Sequence, residues 1–531
     1  MISFFLSEFP MISTKRWLSL ALLLVLNNSV TAGEREDLTQ LHDTTMNLIK
    51  LLVQEGVLSK DKADTLIKQA ERGASNIAAT TARAPENAAK APSDVVRVPY
   101  VPQLVRDQIR DEVKRDVLAQ AKTERWGDPG ALPDWLSRVT WSGDLRVRAE
   151  SDFFQSGNYP FVPNYVAINQ AGNLNGANTY LNTTTDRRRW LLRARLGMNA
   201  QVSDTMKVGV RLSSGTTTSP VSTNSTLGSY ENRSAVVLDQ AYFDYQPAKW
   251  LQVQGGKMPN PWLSTDLVWD DDINFDGLAT IFSRNVREGL RSFATVGAFP
   301  VQEVDISTSD KWLYAGQIGF DYHGSNAHRA RLGIAYYGYK NITGVVNAPG
   351  SNLTDYTAPV FAQKGNTYFN IADPSNNQRT ILGLASDYKL IDVTGIFDIA
   401  NFGRTRVSFT GDYVKNIGFD KNKILQRANL VVANRNVGYL GRITVGVPEI
   451  KARNDWQVFS TYRYLEGDAV PDAFTDSDFH LGGTNAKGWI LGANYGIERN
   501  TWLTLKWLSA DEIDGPPLAI DVLQLDFNTK F

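Results

Sequence analysis

Over most of the chain, apolar and polar residues alternate with a period of two. In the segment 139–153, Trp141 and Leu145 lie on one face, and the opposite face carries charged residues such as Arg146 and Glu150. Such alternation is typical of β-strands with two unlike faces. A soluble sandwich alternates as well, but its strands run to about five or six residues, and the alternation here persists much longer. The pattern therefore predicts long strands with one apolar face and one densely charged face.

The same alternation recurs along the rest of the chain. The clear segments are 189–202, 206–212, 312–322, 330–338, 407–413, 456–464, 489–497 and 501–507, and fainter ones are 236–246, 250–257, 278–285, 290–299, 380–390, 437–447 and 519–531. Together they predict about sixteen strands, an even number of the kind that bacterial single-chain outer-membrane barrels have.

The connections between these segments alternate between long and short. The long connections are 155–186, 215–235, 258–276, 341–378, 416–436 and 467–486, with shorter ones at 300–311 and 511–518, and tight turns such as 203–205, 247–248 and 498–500 lie between them. Long outer loops and short periplasmic turns are the signature of outer-membrane barrels. The predicted fold class is an all-β transmembrane protein, with an antiparallel barrel of about sixteen strands over residues 135–531 and both barrel ends in the periplasm.

The last predicted strand ends in an aromatic residue. Leu523, Leu525, Phe527 and Phe531 share one face of it. A C-terminal aromatic on an alternating strand resembles the sorting signal that the barrel-assembly machinery reads. We therefore expect that machinery as a partner, together with outer-membrane lipid and lipopolysaccharide.

The N-terminal residues 1–32 have the order of a secretory signal peptide. Lys15 and Arg16 precede an apolar run, and small residues near Ala32 suit cleavage. Met11 lies where such a peptide normally begins, so residues 1–10 are a candidate for a misassigned start. A transmembrane anchor is the alternative, but the apolar run is short for a span.

Residues 33–134 form a second, unlike part of the chain. Leucines at roughly helical spacing and a stripe from Val105 to Val117 predict helices, separated by an Ala- and Pro-rich linker. We expect an N-terminal α-helical or coiled-coil segment in the periplasm. It would serve trimer formation, or anchor the barrel to peptidoglycan or a periplasmic partner, and in that alternative the barrel is mainly a structural anchor.

Composition bounds the function further. The net charge is −1, which gives no support for a nucleic-acid partner, and there is no Cys, so thiolate metal sites and cysteine nucleophiles are impossible. The mean hydropathy of −0.28 is low for a helical membrane protein. This low mean hydropathy is compatible with a barrel, because the polar faces of its strands point into the lumen.

Several stretches resemble the proteobacterial family described as "putative porin". They are the segments 98–102, 132–135, 141–148, 188–197, 256–261 and 269–274. The resemblance covers nearly the whole chain after the signal peptide, and it implies passive diffusion of small hydrophilic solutes or ions. It does not imply a particular solute.

The face that the alternation turns away from lipid is strongly basic in the early strands. Its arginines are Arg146, Arg148, Arg189, Arg193, Arg195 and Arg211. An arginine at the lipid midplane would cost about 2–4 kcal/mol, so these side chains are expected to line the pore.

An acidic run, Asp270, Asp271 and Asp272, lies in the long connection 258–276, which is the third outer loop. By analogy with general porins, whose third outer loop folds into the barrel, we expect this run to face the arginines and narrow the pore. Two alternatives remain open: a solvated surface loop, or a divalent-cation site made from its carboxylates.

Other function classes have weaker support. An outer-membrane hydrolase would need a catalytic constellation, and only His480, near Asp476 and Asp478, lies in a suitable outer loop. A transporter with a globular plug would need about 22 strands. No catalytic residue, cofactor or metal is predicted. Tyr336, Tyr339, Tyr462, Tyr464, Trp489 and Trp507 are candidates for the membrane boundaries.

Overall fold

The computed structural model describes Arg115, residues 138–324 and residues 328–531. The chain divides into two compact units, Met1–Val117 and Leu118–Phe531, and every described strand belongs to the second. The predicted signal peptide and helical segment lie outside the described residues, except for Arg115. Their boundaries stay predictions.

The second unit is built from long antiparallel strands joined in chain order. They are β1 (Val139–Phe154), β2 (Arg187–Ser203), β3 (Met206–Ser214), β4 (Ser225–Thr226), β5 (Val236–Ala248), β6 (Leu251–Pro259), β7 (Asn274–Arg287), β8 (Leu290–Gln302), β9 (Lys311–His323), β10 (Arg329–Lys340), β11 (Tyr368–Asn370), β12 (Leu382–Leu384), β13 (Lys389–Phe402), β14 (Thr405–Asn416), β15 (Val437–Gly446), β16 (Trp456–Leu465), β17 (Ala486–Glu498), β18 (Thr501–Glu512) and β19 (Ala519–Lys530). The short strands β4, β11 and β12 belong to loops, and the other sixteen form the barrel.

The barrel closes between its first and last strands. β1 pairs with β2 on one side and with β19 on the other, with Val147 opposite Phe527. The terminal Phe531 exchanges two backbone hydrogen bonds of 3.0 Å with Gly143. A Cβ on Gly143 would meet the Phe531 ring at 2.3 Å, so glycine at this position lets the last residue lie against the first strand. Closure leaves no sheet edge unpaired, as a bilayer requires.

The period of two separates an outer apolar face from an inner polar face. Trp190, Ile334 and Leu525 are exposed on the outside of the barrel, whereas Arg148 and Gln524 are buried on the inside. The predicted fold class, a sixteen-stranded antiparallel outer-membrane barrel, is therefore confirmed.

Aromatic rings lie on the outer surface of the barrel. Tyr439 stacks on Tyr464, and Tyr462 packs edge-to-face on Trp489. The expectation for Tyr339 is wrong: this residue is buried inside, because it shares the lumen-facing parity of Tyr337 rather than that of Tyr336.

Eight loops at one end of the barrel alternate with seven connections at the other end. The loops are L1 (155–186), L2 (215–235), L3 (260–273), L4 (303–310), L5 (341–388), L6 (417–436), L7 (466–485) and L8 (513–518). L1 contains helix α1 (Tyr165–Ala171), and L6 contains helix α2 (Lys421–Ala428). Among the described residues, no helix is long and apolar enough to cross a membrane.

One predicted strand is misplaced. The prediction of a barrel strand over 380–390 is wrong, because the wall strand is β13, Lys389–Phe402. Residues 382–384 instead form β12, which pairs with β11 inside L5. Ile381 and Ala385 pack in a small loop core with Ile371, so their apolar pattern reflects loop packing rather than contact with lipid.

Candidate pore constriction

The six predicted arginines lie on three neighbouring strands. Arg146 and Arg148 belong to β1, Arg189, Arg193 and Arg195 to β2, and Arg211 to β3. Within the β1–β2 pair, Arg193 lies opposite Arg146, whereas Arg189 and Arg195 lie opposite Glu150 and Asp144. All six lie on the face opposite the exposed apolar residues, and five of them pair with carboxylates there.

These carboxylates neutralise most of the arginine group. Asp144 accepts hydrogen bonds from Arg193 at 3.1 Å and from Arg195 at 2.7 Å. Glu150 pairs with Arg189, and Asp239 pairs with Arg211, both at 2.5 Å. Arg146 differs, since its Nη2 donates to the amide oxygen of Asn224 at 2.7 Å. The inner wall is therefore a network of alternating charges rather than an uncompensated row of cations.

L3 runs across the inside of the barrel and contacts distant strands in turn. The backbone N–H of Leu263 donates to the side chain of Gln317 on β9 at 2.8 Å. Thr265 donates to Asp412 on β14 at 2.5 Å. Arg442 on β15 lies 3.3 Å from Asp266. These contacts carry L3 along the wall opposite the arginine group.

The end of L3 carries the acidic run back towards β2. The backbone N–H of Asp270 donates to the carbonyl of Phe474 in L7 at 2.9 Å, and the carboxylate of Asp270 accepts from the N–H of Ser477. Asp272 lies 3.2 Å from Arg195, and it also accepts two hydrogen bonds from Thr223. Asp271 is exposed to the lumen. The three aspartates thus have different surroundings.

Aromatic packing supports L3 from behind. The Trp262 ring packs edge-to-face on Tyr337 at 5.5 Å, and Trp269 packs on the same ring at 5.2 Å. Trp269 also contacts Phe275 and Phe474. Edge-to-face pairs of this kind are worth about 0.5–1.5 kcal/mol beyond their buried area. L3 is therefore held at both ends and along its length.

L7 also folds inward, which the sequence pattern did not predict. Asp476 pairs with Arg463 at 3.0 Å, and Asp478 pairs with Arg148 at 2.8 Å. The sequence held one signal: L7 contains Val470, Phe474 and Phe479, which are more apolar residues than a solvated loop needs. Two inward loops rather than one therefore fill the upper lumen.

L3 and L7 separate two cavities. The lower one has a volume of about 580 Å³, and its lining includes Arg146, Arg442 and Asp271. The upper one has a volume of about 760 Å³, and its lining includes Phe299 and Val301. Asp272 lines both cavities, so it lies at the boundary between them.

Burial and neighbouring charges give the carboxyl groups of L3 and L7 different pKa values. Burial, with the neighbouring Asp476, raises the pKa of Asp270 to about 9. Burial also raises the pKa of Asp476 to about 6, although Arg463 opposes the rise. Burial would raise the pKa of Asp478 too, but Arg148 and Lys506 hold it well below its usual range. Burial thus favours the protonated form of Asp270, whereas the cationic neighbours of Asp478 favour its ionised form.

A buried hydrogen-bond chain holds L7 to L5. Lys364 donates from Nζ to Nδ1 of His480 at 2.7 Å, and Nε2 of His480 donates to the carbonyl of Leu518 at 2.9 Å. A carbonyl only accepts, so the proton of the neutral ring lies on Nε2. Glu512 lies 3.3 Å from Lys364 and balances its charge. His480 thus has a structural position rather than an exposed catalytic one.

The state of His480 predicts that acid weakens the loops. Burial and the adjacent Lys364 lower the pKa of His480 well below 6.5. The folded state therefore binds fewer protons, and the stabilisation that is complete above pH about 6.5 is lost as the pH falls towards the folded pKa. We expect limited proteolysis of L7 to accelerate below pH 6.5, and less steeply in His480→Asn. His323→Asn, at an exposed histidine, is the control, and equal acid dependence in all three proteins would refute the assignment.

The described residues hold no group of three or more His, Asp or Glu side chains placed to bind a metal ion. The acidic run of L3 is instead divided among separate partners. Asp272 faces arginines, and Asp270 accepts backbone hydrogen bonds.

A family model described as "Putative porin" matches residues 42–531. The chain belongs to this porin family. It is an outer-membrane protein whose barrel forms a channel for passive diffusion. No curated protein sequence matches the porin.

Solved outer-membrane proteins are similar to this chain at low sequence identity. OprB of Pseudomonas putida is 10% identical, with a TM-score of 0.43 over 75% of this chain and 96% of that chain. OmpF of Salmonella typhi is 9% identical, with a TM-score of 0.40 over 74% and 97%. An anion-selective porin of Comamonas acidovorans is 12% identical, with a TM-score of 0.39 over 74% and 99%. The family assignment rests on the family match.

Proposed function

We propose that L3 is the constriction of this diffusion channel. The observation that carries the proposal is the course of L3, which contacts β9, β14, β15, L7 and β2 in succession and lies between the two cavities. A loop held at so many points of the wall is a fixed barrier, and solutes must pass the side chains that border it.

The charges at the constriction would act on solutes by their arrangement. Asp271 and Asp272 lie on L3, and cationic side chains lie on the wall around the lower cavity, including Arg146, Arg193 and Arg442. Because burial disfavours the ionised form of Asp270, the negative side consists mainly of Asp266, Asp271, Asp272 and Asp478. Opposed charges across a narrow lumen favour small hydrophilic solutes and ions, since large apolar solutes gain nothing for displacing the bound water.

The absence of Cys in the natural chain allows a direct test. We expect charged thiol reagents to change the single-channel conductance of Asp271→Cys in planar bilayers, with opposite changes in ion preference for cationic and anionic reagents. Asp204→Cys, on the exposed turn between β2 and β3, is the control. If modification of Asp271→Cys leaves both conductance and ion preference unchanged, L3 does not border the conducting path.

Three further proposals rest on the sequence. We infer that residues 33–134 lie in the periplasm, that the last strand is read by the barrel-assembly machinery, and that three copies associate. The diffusion channel is favoured over a mainly structural anchor, because the lumen contains cavities and ordered charges that an anchor would not need.

A further inference from the structure

A cluster of oxygen-bearing side chains lies on the inner wall behind L3. Its members come from three neighbouring strands: Tyr337 on β10, Asp392 and Thr394 on β13, and Asp412 on β14. Thr394 lies directly opposite Asp412 across the β13–β14 pair. Asp392 lies opposite Ala335, two residues before Tyr337 on the same face of β10. We call these four residues the wall cluster.

The wall cluster is buried, yet it is poor in hydrogen bonds. Asp392, Thr394 and Tyr337 are each 0% exposed. Both carboxylate oxygens of Asp392, one of Asp412 and the hydroxyls of Thr394 and Tyr337 make no hydrogen bond of good geometry, although Asp392 lies close to Thr394 and Asp412. Buried polar atoms are almost always satisfied in folded proteins, so five such oxygens in one place require a physical cause.

The charges of the two wall-cluster aspartates also require a physical explanation. The carboxyl groups of Asp392 and Asp412 lie within hydrogen-bonding reach of each other. In the part of the chain that the structure describes, neither has a Lys, Arg or His side chain within salt-bridge distance. Two adjacent buried carboxylates without a cation would carry a large desolvation and repulsion cost.

L3 closes the wall cluster from the lumen side. Thr265 donates to one oxygen of Asp412, and the other oxygen makes no hydrogen bond of good geometry. Trp269 packs against the Tyr337 ring and separates the cluster from the upper cavity. The oxygens of the wall cluster therefore lie buried between L3 and the wall.

We propose that the wall cluster binds one hard cation, of which Ca²⁺ is the best match. Carboxylate and hydroxyl oxygens are ligands that hard cations prefer, and softer metals would require nitrogen or sulfur donors. A divalent cation would balance both carboxylates. It would also attach L3 to β10, β13 and β14 through Asp412 and Thr265. This role goes beyond the constriction and does not depend on which solutes pass.

Terbium luminescence tests the proposal on the purified full-length porin in detergent micelles. Tb³⁺ replaces Ca²⁺ in oxygen sites, and Tyr337 and Trp269 are placed to sensitise its emission. We expect sensitised emission from the natural chain that Ca²⁺ displaces, together with a higher unfolding temperature in Ca²⁺ than in chelator. Because affinity depends on ligand charge, the Asp392→Asn/Asp412→Asn variant should bind at least about tenfold more weakly.

Two control variants distinguish the wall cluster from the remaining carboxylates of the lumen. Asp398→Asn removes an acid from the same strand β13 at the lower cavity and should keep normal binding. Asp271→Asn/Asp272→Asn should also keep it. Loss of emission in that variant, with binding intact in Asp392→Asn/Asp412→Asn, would place the ion at the L3 carboxylates and overturn the proposal.

The remaining outcomes of these experiments also support or overturn the cation proposal. The effect of Ca²⁺ on the unfolding temperature of the natural chain needs no variant, so it answers the question even if the double variant fails to reach the heat-modifiable folded form. Neither Tb³⁺ emission nor a Ca²⁺-dependent shift in the natural chain would mean that the two carboxyls are neutralised by protons instead, and the proposal would fall.

Discussion

Asp272→Asn is expected to shift the ion preference of the channel towards anions by about fivefold. This factor corresponds to about 1 kcal/mol, the interaction energy of two unit charges 4 Å apart in water. Asp272 lies 3.2 Å from Arg195 and 3.8 Å from Arg193. Removing its charge leaves these arginines with Asp144 alone as a carboxylate partner at the boundary between the two cavities. Anions would then be favoured in the narrow part of the lumen.

Reversal potentials across a potassium chloride gradient measure this shift. Asn keeps the size of Asp and can still accept hydrogen bonds from Thr223 through its amide oxygen, so the loop should hold its position. Asp204→Asn makes the same charge change on an exposed turn and should leave the reversal potential unchanged. Identical reversal potentials in the two variants would remove Asp272 from the conducting path.

Arg148→Met should produce the largest loss of stability. The Arg148 guanidinium is fully buried and pairs with Asp526 at 2.7 Å and with Asp478 at 2.8 Å, and Glu150 lies 3.5 Å away. Met has a similar length but no charge, so the variant leaves three carboxylates without their common cation. Breaking a buried pair from one side costs about 3–5 kcal/mol.

The temperature at which the barrel loses its heat-modifiable electrophoretic form measures that loss. L7 should also become more sensitive to protease, because Asp478 belongs to it. Arg404→Met is the matched control: its side chain is 76% exposed and it pairs with Asp455 at 2.7 Å, so the same substitution should change stability little. Equal unfolding temperatures for the two variants would show that the Arg148 network does not hold L7.

Much of the fold could be predicted from the sequence, because alternation is a local property of each strand. Residues two apart share a face in any strand, so the charged positions of 139–153 and the apolar positions between them identified the lumen and lipid faces of β1 before any strand was paired. The wrong prediction of a wall strand over 380–390 has the same origin. A short apolar segment packed in a loop core shows the same pattern as a wall strand, and only its partners distinguish the two.

The contacts of L3 and L7 could not be predicted in this way. Arg148 and Asp478 are 330 positions apart, and Thr265 and Asp412 are 147 apart, so no local pattern indicates that they touch. Whether L7 folds inward depends on cations that the far strands present, and whether Asp392 has a partner depends on what L3 covers. The sequence by itself determined a closed barrel with a polar inside, since each strand carries that information within a few residues. The path of the loops, the pairing of the charges and the wall cluster were decided only by the tertiary structure, because closure brings together residues from opposite ends of the chain.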